Sequence, residues 1–187
     1  MSDDVVKIRW HGRGGQGAIT AAKIVANAAF ECGYNGVVMT PTFGTERRGA
    51  PVLTSLKISR NKIYDLSPIT EPDMIVVLDH LLLEEAGVTS GLKSDGMIIV
   101  NSPRTPADHS VNGIKIATAD VTSIAVEAGL KQGIVNSGII GAFARATGLI
   151  DLDILLRKIK EEFRDKKPAE NAEAARLTFS KTDMGGS

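Results

Sequence analysis

The 187-residue chain has one cysteine, Cys32. A lone thiol closes no intrachain disulfide and cannot by itself hold an iron–sulfur cluster, which ordinarily takes four thiolates, so a redox centre of that kind would belong to another chain. Cys32 falls at the predicted end of an apolar helix, where it is either a small buried residue or a reactive thiol. An excess of either charge is also missing. Lys plus Arg and Asp plus Glu number 22 each, so no global field draws the protein to nucleic acid or to an anionic membrane, and neither is expected as a partner. No apolar run approaches the ~18 residues of a membrane span. The opening Met1-Ser2-Asp3-Asp4 has neither the basic region nor the apolar stretch of a secretory signal, and a cytoplasmic location is expected. No internal repeat, low-complexity block or linker interrupts the sequence.

Against these absences, 43% hydrophobic and 24% charged residues describe a chain that buries a core. Its length suits one domain over residues 1–187, with a core from about 5 to 178 and a flexible C-terminal tail. Val5 to Trp10 alternates as a strand, and Ala18 to Phe30 carries Ile19, Ala22, Ala26, Ala29 and Phe30 at helical spacing before Gly33 stops it. Gly36 to Thr40 is the next strand, giving a βαβ unit with a parallel crossover. Val52 to Ile58 follows, and Ser59 to Lys62 turns it into a short strand at Ile63-Tyr64, which places an antiparallel hairpin in the sheet. Met74 to Leu78 and Met97 to Val100 are wholly apolar and turn-bounded, the pattern of central strands buried on both faces. A helix is expected around Leu81 to Ala86 and a strand over Ile114 to Thr118. Helices are expected over Val121 to Ala128, Ile134 to Thr147, Asp153 to Phe163 and Pro168 to Leu177, with Lys181 to Ser187 frayed. The predicted fold is α/β, a three-layer α/β/α sandwich with a mixed, mostly parallel sheet including one antiparallel hairpin.

The chemistry concentrates in His11-Gly12-Arg13-Gly14-Gly15-Gln16-Gly17, between the first strand and the first helix. Glycines 12, 14 and 17 satisfy G-x-G-x-x-G in strand-loop-helix context, where bared amides and the helix dipole favour an anion. The alternative is a tight βα turn with no ligand. A dinucleotide site would also need an acid near the end of the second strand, and Gly36 to Thr40 contains none. An NADP site would want an Arg there, and the nearest are Arg47 and Arg48. These lie in Pro41-Thr42-Phe43-Gly44-Thr45-Glu46-Arg47-Arg48-Gly49-Ala50-Pro51, where paired guanidinium forks could receive a carboxylate or phosphate, or form a solvated charge cluster. His11 is either a general base or a structural hydrogen-bond donor. Asp79 follows a buried strand at the end where ligands gather, or caps the next helix. Asn136 caps a helix or meets a partner.

The glycine motif followed by Glu46-Arg47-Arg48-Gly49 closely resembles the gamma subunit of 2-oxoacid:ferredoxin oxidoreductases, the pyruvate branch most. Glu71-Pro72-Asp73 leading into Met74 to Asp79, and Asn136 with Gly141, extend the likeness from about Val5 to Gly148. The resemblance implies a chain that works with alpha, beta and delta (ferredoxin-like) partners and passes electrons to ferredoxin. The complex would use thiamine diphosphate with Mg2+ and [4Fe-4S] clusters, all held by the other chains. It would turn a 2-oxoacid, coenzyme A and oxidised ferredoxin into acyl-CoA, carbon dioxide and reduced ferredoxin. It further implies that Gly12, Gly14, Gly15, Gln16, Gly17, Arg47 and Arg48 serve a phosphate or coenzyme A side, and that Glu46, Arg47, Arg48 and Asn136 sit at an interface. No catalytic residue is expected in this chain alone, and no metal ligand. Pyruvate leads as substrate, with 2-oxoglutarate and branched-chain 2-oxoacids open. Readings of other classes are a self-sufficient NAD(P)-binding oxidoreductase and a freestanding coenzyme A-binding module. Isolated, the chain could dimerise through its partner-facing surface.

Overall fold

The computed structural model describes residues 5–42, 49–85, 87–109 and 113–185. Six strands form one mixed sheet: β1 (Val6–Arg13), β2 (Gly36–Thr42), β3 (Pro51–Ser59), β4 (Met74–Val77), β5 (Met97–Asn101) and β6 (Lys115–Ala119), in the order β2-β3-β1-β4-β5-β6. The pairs β1–β4, β4–β5 and β5–β6 are parallel. β3 runs antiparallel to both β1 and β2. The expected crossover from β1 to β2 is therefore parallel in direction, but β3 lies between the two strands. The same insertion explains why Ile63-Tyr64 is not a strand. β3 spends both edges on β1 and β2, so a segment turning back from it finds no backbone to pair with. The antiparallel hairpin of the sheet is β2–β3.

Among the described residues five helices follow the pattern of the sequence: α1 (Ala18–Glu31), α2 (Val121–Glu127), α3 (Asn136–Thr147), α4 (Leu152–Glu162) and α5 (Pro168–Lys181). One sheet face, carrying Ile8, Trp10, Leu56, Ile58, Val76, Leu78, Ile99 and Ala117, joins α1, α3, α4 and α5 in the main core. Trp10 and Phe143, both fully buried, meet with ring centroids 5.4 Å apart. α1 presents Ala21, Ala22, Val25, Ala28 and Ala29 to that core. Small side chains let it lie close to the sheet, and the buried stripe is rotated from the expected one: Phe30 is 69% exposed. Gly141 serves the same end, since a Cβ there would overlap the Ala175 carbonyl of α5.

On the opposite face Ile75, Val77, Ile98, Val100 and Ile116 pack against Leu82, Val88 and Leu92. The cover there is a 3-10 turn, His80–Glu84, with ordered coil, where an α-helix was expected. Under β1 and β3 this face turns polar. Arg9, almost fully buried, donates from Nη2 to the carbonyls of Val88 (2.9 Å) and Ser90 (2.6 Å). Buried Lys57 holds Asp65 at 3.0 Å. The C-terminal segment expected to fray is pinned at Asp183, which exchanges backbone hydrogen bonds of 2.9 Å with Thr118 on the outer edge of β6. No helix among the described residues is long and apolar enough to cross a membrane.

Candidate functional site

The glycine loop leaves the C-terminal end of β1 and enters α1 through Gly17, whose left-handed backbone (φ 79°) has no Cβ to resist it. Side-chain room is short there as well: a Cβ on Gly17 would come within 2.7 Å of Asn136 Nδ2. Gly12 is buried under Ala18 and Leu78, in close strand–helix contact. Gly15 (φ 94°) is exposed, with no atom within 4 Å of where its Cβ would be. The loop thus faces outward.

Internal bonds hold its shape. The Arg13 amide donates to Gln16 Oε1 (2.7 Å), and the Gln16 amide donates to the Arg13 carbonyl (2.9 Å). The Gly14 amide donates to the Ala50 carbonyl (2.8 Å) and the Gly49 amide to the Gly14 carbonyl (3.1 Å). Gly49 and Ala50 close the Glu-Arg-Arg-Gly segment, so the two sequence motifs meet at Gly14. Glu46, Arg47 and Arg48 lie outside the described residues. The amides of Gly15, Gly17, Ala18, Ile19 and Thr20 donate to no acceptor among the described residues, which leaves a cluster of N–H groups at a helix start.

The Arg13 side chain belongs to the frame of the loop. Its Nε donates to Asp79 Oδ2 and its Nη2 to Glu85 Oε1, both at 3.0 Å. The Asp79 hydrogen bond, followed by that of Glu85, holds the guanidinium firmly charged. Asp79 also accepts the Leu81 amide at Oδ1 (3.1 Å), so it both caps the 3-10 turn and fixes Arg13. His11, one strand position inward, is pushed down to about 4 by burial and by Arg9. Its Nε2 has no partner among the described residues, and a ring whose protonated form is so disfavoured is a weak base near neutral pH.

Asn136 does not cap α3, whose N-cap is Val135. It is buried beside Gly17, where it lines a cavity of about 380 Å³ together with Gly15, Gln16 and Lys131. The sequence placed Asn136 and the glycine loop far apart; the fold brings them together. Cys32 caps α1 away from this site, half-buried, its Sγ accepting the Asp151 amide at 3.5 Å.

A second group went unseen in the sequence. Ser102, just after β5, lies 2.8 Å from His109 Nε2, a serine beside a histidine where no such pair was expected. Ser102 is 2% exposed and its oxygen accepts the Arg104 amide (3.0 Å). Without an open face it ties down a turn and cannot reach a substrate.

Residues 7–181 match the family described as pyruvate ferredoxin/flavodoxin oxidoreductase. The chain is 45% identical over 182 residues to the pyruvate synthase subunit PorC of Methanothermobacter marburgensis, covering 97% of this chain and 100% of that one. It is 45% identical over 184 residues to the pyruvate/ketoisovalerate oxidoreductases common subunit gamma of Pyrococcus abyssi, covering 96% and 98%. The crystal structure of pyruvate oxidoreductase subunit PORC from Thermotoga maritima superposes with a TM-score of 0.82 at 32% identity, covering 96% of this chain and 97% of that chain.

Proposed function

The chain belongs to the pyruvate ferredoxin/flavodoxin oxidoreductase family, and from that premise we propose that it is the gamma subunit of a pyruvate:ferredoxin oxidoreductase whose glycine loop receives coenzyme A. The enzyme decarboxylates pyruvate oxidatively, passing the acyl group to coenzyme A and two electrons to ferredoxin. Alpha, beta and delta chains hold thiamine diphosphate with Mg2+ and the [4Fe-4S] clusters, which supply the carbanion chemistry and the electron path. This chain binds and orients. The observation that carries the assignment to the loop is its outward, unspent cluster of amides around Gly15 and Gly17, rigidified by Gln16 and Arg13. An N–H cluster at a helix start favours phosphate. Glu46, Arg47 and Arg48, joined to Gly14 through Gly49 and Ala50, would complete the coenzyme A side or the contact with a partner chain.

The Pyrococcus abyssi relative is named as common to pyruvate and ketoisovalerate oxidoreductases. A chain shared by two enzymes cannot be what senses the acid's side chain, which supports placing that selection on the thiamine-binding chains here too. The dinucleotide alternative loses ground in the sheet. In a dinucleotide fold the second strand lies beside the first and presents an acid to the ribose, whereas here β3 separates β2 from β1.

Co-expression of the alpha, beta and delta chains with and without this one tests the proposal. Pyruvate- and coenzyme A-dependent ferredoxin reduction is expected only with it. Equal activity without the chain, or saturable NADH binding with turnover by the isolated chain, would overturn the assignment.

A further inference from the structure

The segment around Ile63-Tyr64 finds no strand to pair with inside this chain, yet its side chains alternate as those of a strand do. Ile63 lies against Gly36, and Asp65 pairs with buried Lys57. Tyr64 and Leu66 are 85% and 68% exposed, two of the three most exposed large apolar side chains among the described residues. The amides of Lys62, Ile63, Tyr64, Asp65 and Leu66 donate to no acceptor among the described residues. The segment is nonetheless fixed. Lys57 Nζ donates to the Asp65 carbonyl (2.9 Å) and to Asp65 Oδ2 (3.0 Å), and Asp65 Oδ1 accepts the Ser67 amide (2.9 Å). A row of free donors held still beside two exposed apolar side chains suits another extended backbone, which offers acceptors at strand spacing and finds its host already ordered.

Beside the segment, at the end of the sheet opposite the glycine loop, opens a cavity of about 620 Å³. Ile63 and Asp65 belong to its wall, and Val5, Met74 and Met97 make part of it apolar. Four lysines and three aspartates line it. Two pairs close among themselves, Lys57 on Asp65 and Lys93 on Asp73. What is left is Lys7, Lys115 and Asp95, an excess of one positive charge, and the ammonium groups of Lys7 and Lys115 have no partner among the described residues. Charge complementarity therefore asks for a carboxylate.

We propose that residues 62–66 and this cavity dock an acidic, extended segment of a partner chain of the oxidoreductase, whose backbone adds a strand along 62–66, whose apolar side chains cover Tyr64 and Leu66, and whose carboxylate enters the cavity toward Lys7 and Lys115. The proposal rests on the chain being one subunit of such an enzyme. A second copy of this chain is a poorer occupant. The antiparallel register that pairs all five residues with themselves, centred on Tyr64, sets Lys62 against Leu66 and Ile63 against Asp65, charged against apolar.

The test uses the enzyme assembled by co-expression with the alpha, beta and delta chains and captured through a tag on the beta chain. Hydrogen exchange over 62–66 should be at least about tenfold slower in the assembled enzyme than in the isolated chain, a measurement that needs no variant. Retention of this chain should fall by about tenfold or more in Tyr64→Asp/Leu66→Asp. It should stay unchanged in Phe30→Asp, which alters an exposed aromatic on α1 away from the segment. In Lys7→Gln/Lys115→Gln retention should fall and lose much of its dependence on salt. Melting temperatures of the isolated variants separate lost docking from lost folding. Unslowed exchange in an enzyme that captures the chain overturns the docking surface alone. Slowed exchange with retention indifferent to the lysine variant and to salt overturns the acidic occupant. An isolated wild-type chain that sediments as a dimer, and as a monomer in Tyr64→Asp/Leu66→Asp, overturns the proposal in favour of a second copy. If the beta chain never captures the wild-type chain, the subunit reading falls and this proposal with it.

Discussion

Gly15 allows charge to be changed at the candidate site with almost nothing else. Its φ of 94° strains any side chain, and no atom lies within 4 Å of a Cβ built there. Asn and Asp tolerate the left-handed region better than other residues, and the two have the same shape. Backbone strain and steric cost therefore cancel between Gly15→Asn and Gly15→Asp, which differ by one negative charge. A carboxylate about 5 Å from a bound phosphate interacts with about 1 to 3 kcal/mol per unit charge as the effective dielectric falls from ~80 to ~20. Gly15 is exposed, so the lower half of that range applies, about 1 to 2 kcal/mol. KM for coenzyme A in Gly15→Asp should then be roughly five- to thirtyfold above that of Gly15→Asn. The gap should narrow in high salt, which screens exposed charges over about 3 Å at 1 M. Ferredoxin reduction by the assembled enzyme, titrated with coenzyme A at two ionic strengths, reads both. Equal KM values for two variants of equal thermal stability would refute phosphate recognition at this loop.

His11 predicts an acid-labile fold. Its folded-state value near 4 lies below the ordinary 6.5, so between these pH values the unfolded chain binds the extra proton and stability falls with pH, fully present above about 6.5 and lost toward 4. Urea midpoints should drop across that window by an amount equivalent to up to about 3 kcal/mol, and the slope should flatten in His11→Gln. Asp79→Ala removes the cap of the 3-10 turn and leaves Arg13 with Glu85 alone. A loss of about 1 to 2 kcal/mol is expected, read as a melting temperature lower by roughly 2–8 °C, together with a raised KM for coenzyme A. A KM that stays raised when a distant stabilising substitution restores the melting temperature would identify Asp79 as a positioning residue for the loop. Gly141→Ala drives a methyl into the Ala175 carbonyl, and overpacking of that kind costs about 1 to 3 kcal/mol. Its melting temperature should fall while KM for coenzyme A stays unchanged.

Local pattern carried the reading of β4 and β5, because short apolar runs flanked by turns have few other places to go than the middle of a sheet. It carried the glycine loop for the same reason: tight turns and helix starts are decided within a few residues. Strand order was not legible. Nothing in Val52 to Ile58 says that this segment enters between β1 and β2, and the false strand at Ile63-Tyr64 follows directly from that. Where a helix around Leu81 to Ala86 is expected, His80–Glu84 form a 3-10 turn; Asp79 caps it, but so short a segment does not sustain an α-helix. Asn136 was picked out without its partner, since its approach to Gly17 is made by tertiary packing.

The firmness of the loop bears on what it costs to receive a ligand there. Binding costs free energy for every group ordered on arrival, and a loop already fixed before the ligand comes avoids that cost. Here Gln16 closes on Arg13, Arg13 is gripped by Asp79 and Glu85, and Gly14 is tied to Ala50. These bonds spend the amides of Arg13, Gly14 and Gln16 and leave those of Gly15 and Gly17 unspent. Arg13 pairs with both Asp79 and Glu85 and cancels one of their two charges, which reduces the repulsion that they would exert on a phosphate at the loop. Gln16, expected on the phosphate side, and Arg13 thus also form the frame that keeps Gly15 and Gly17 in a conformation only glycine adopts without strain.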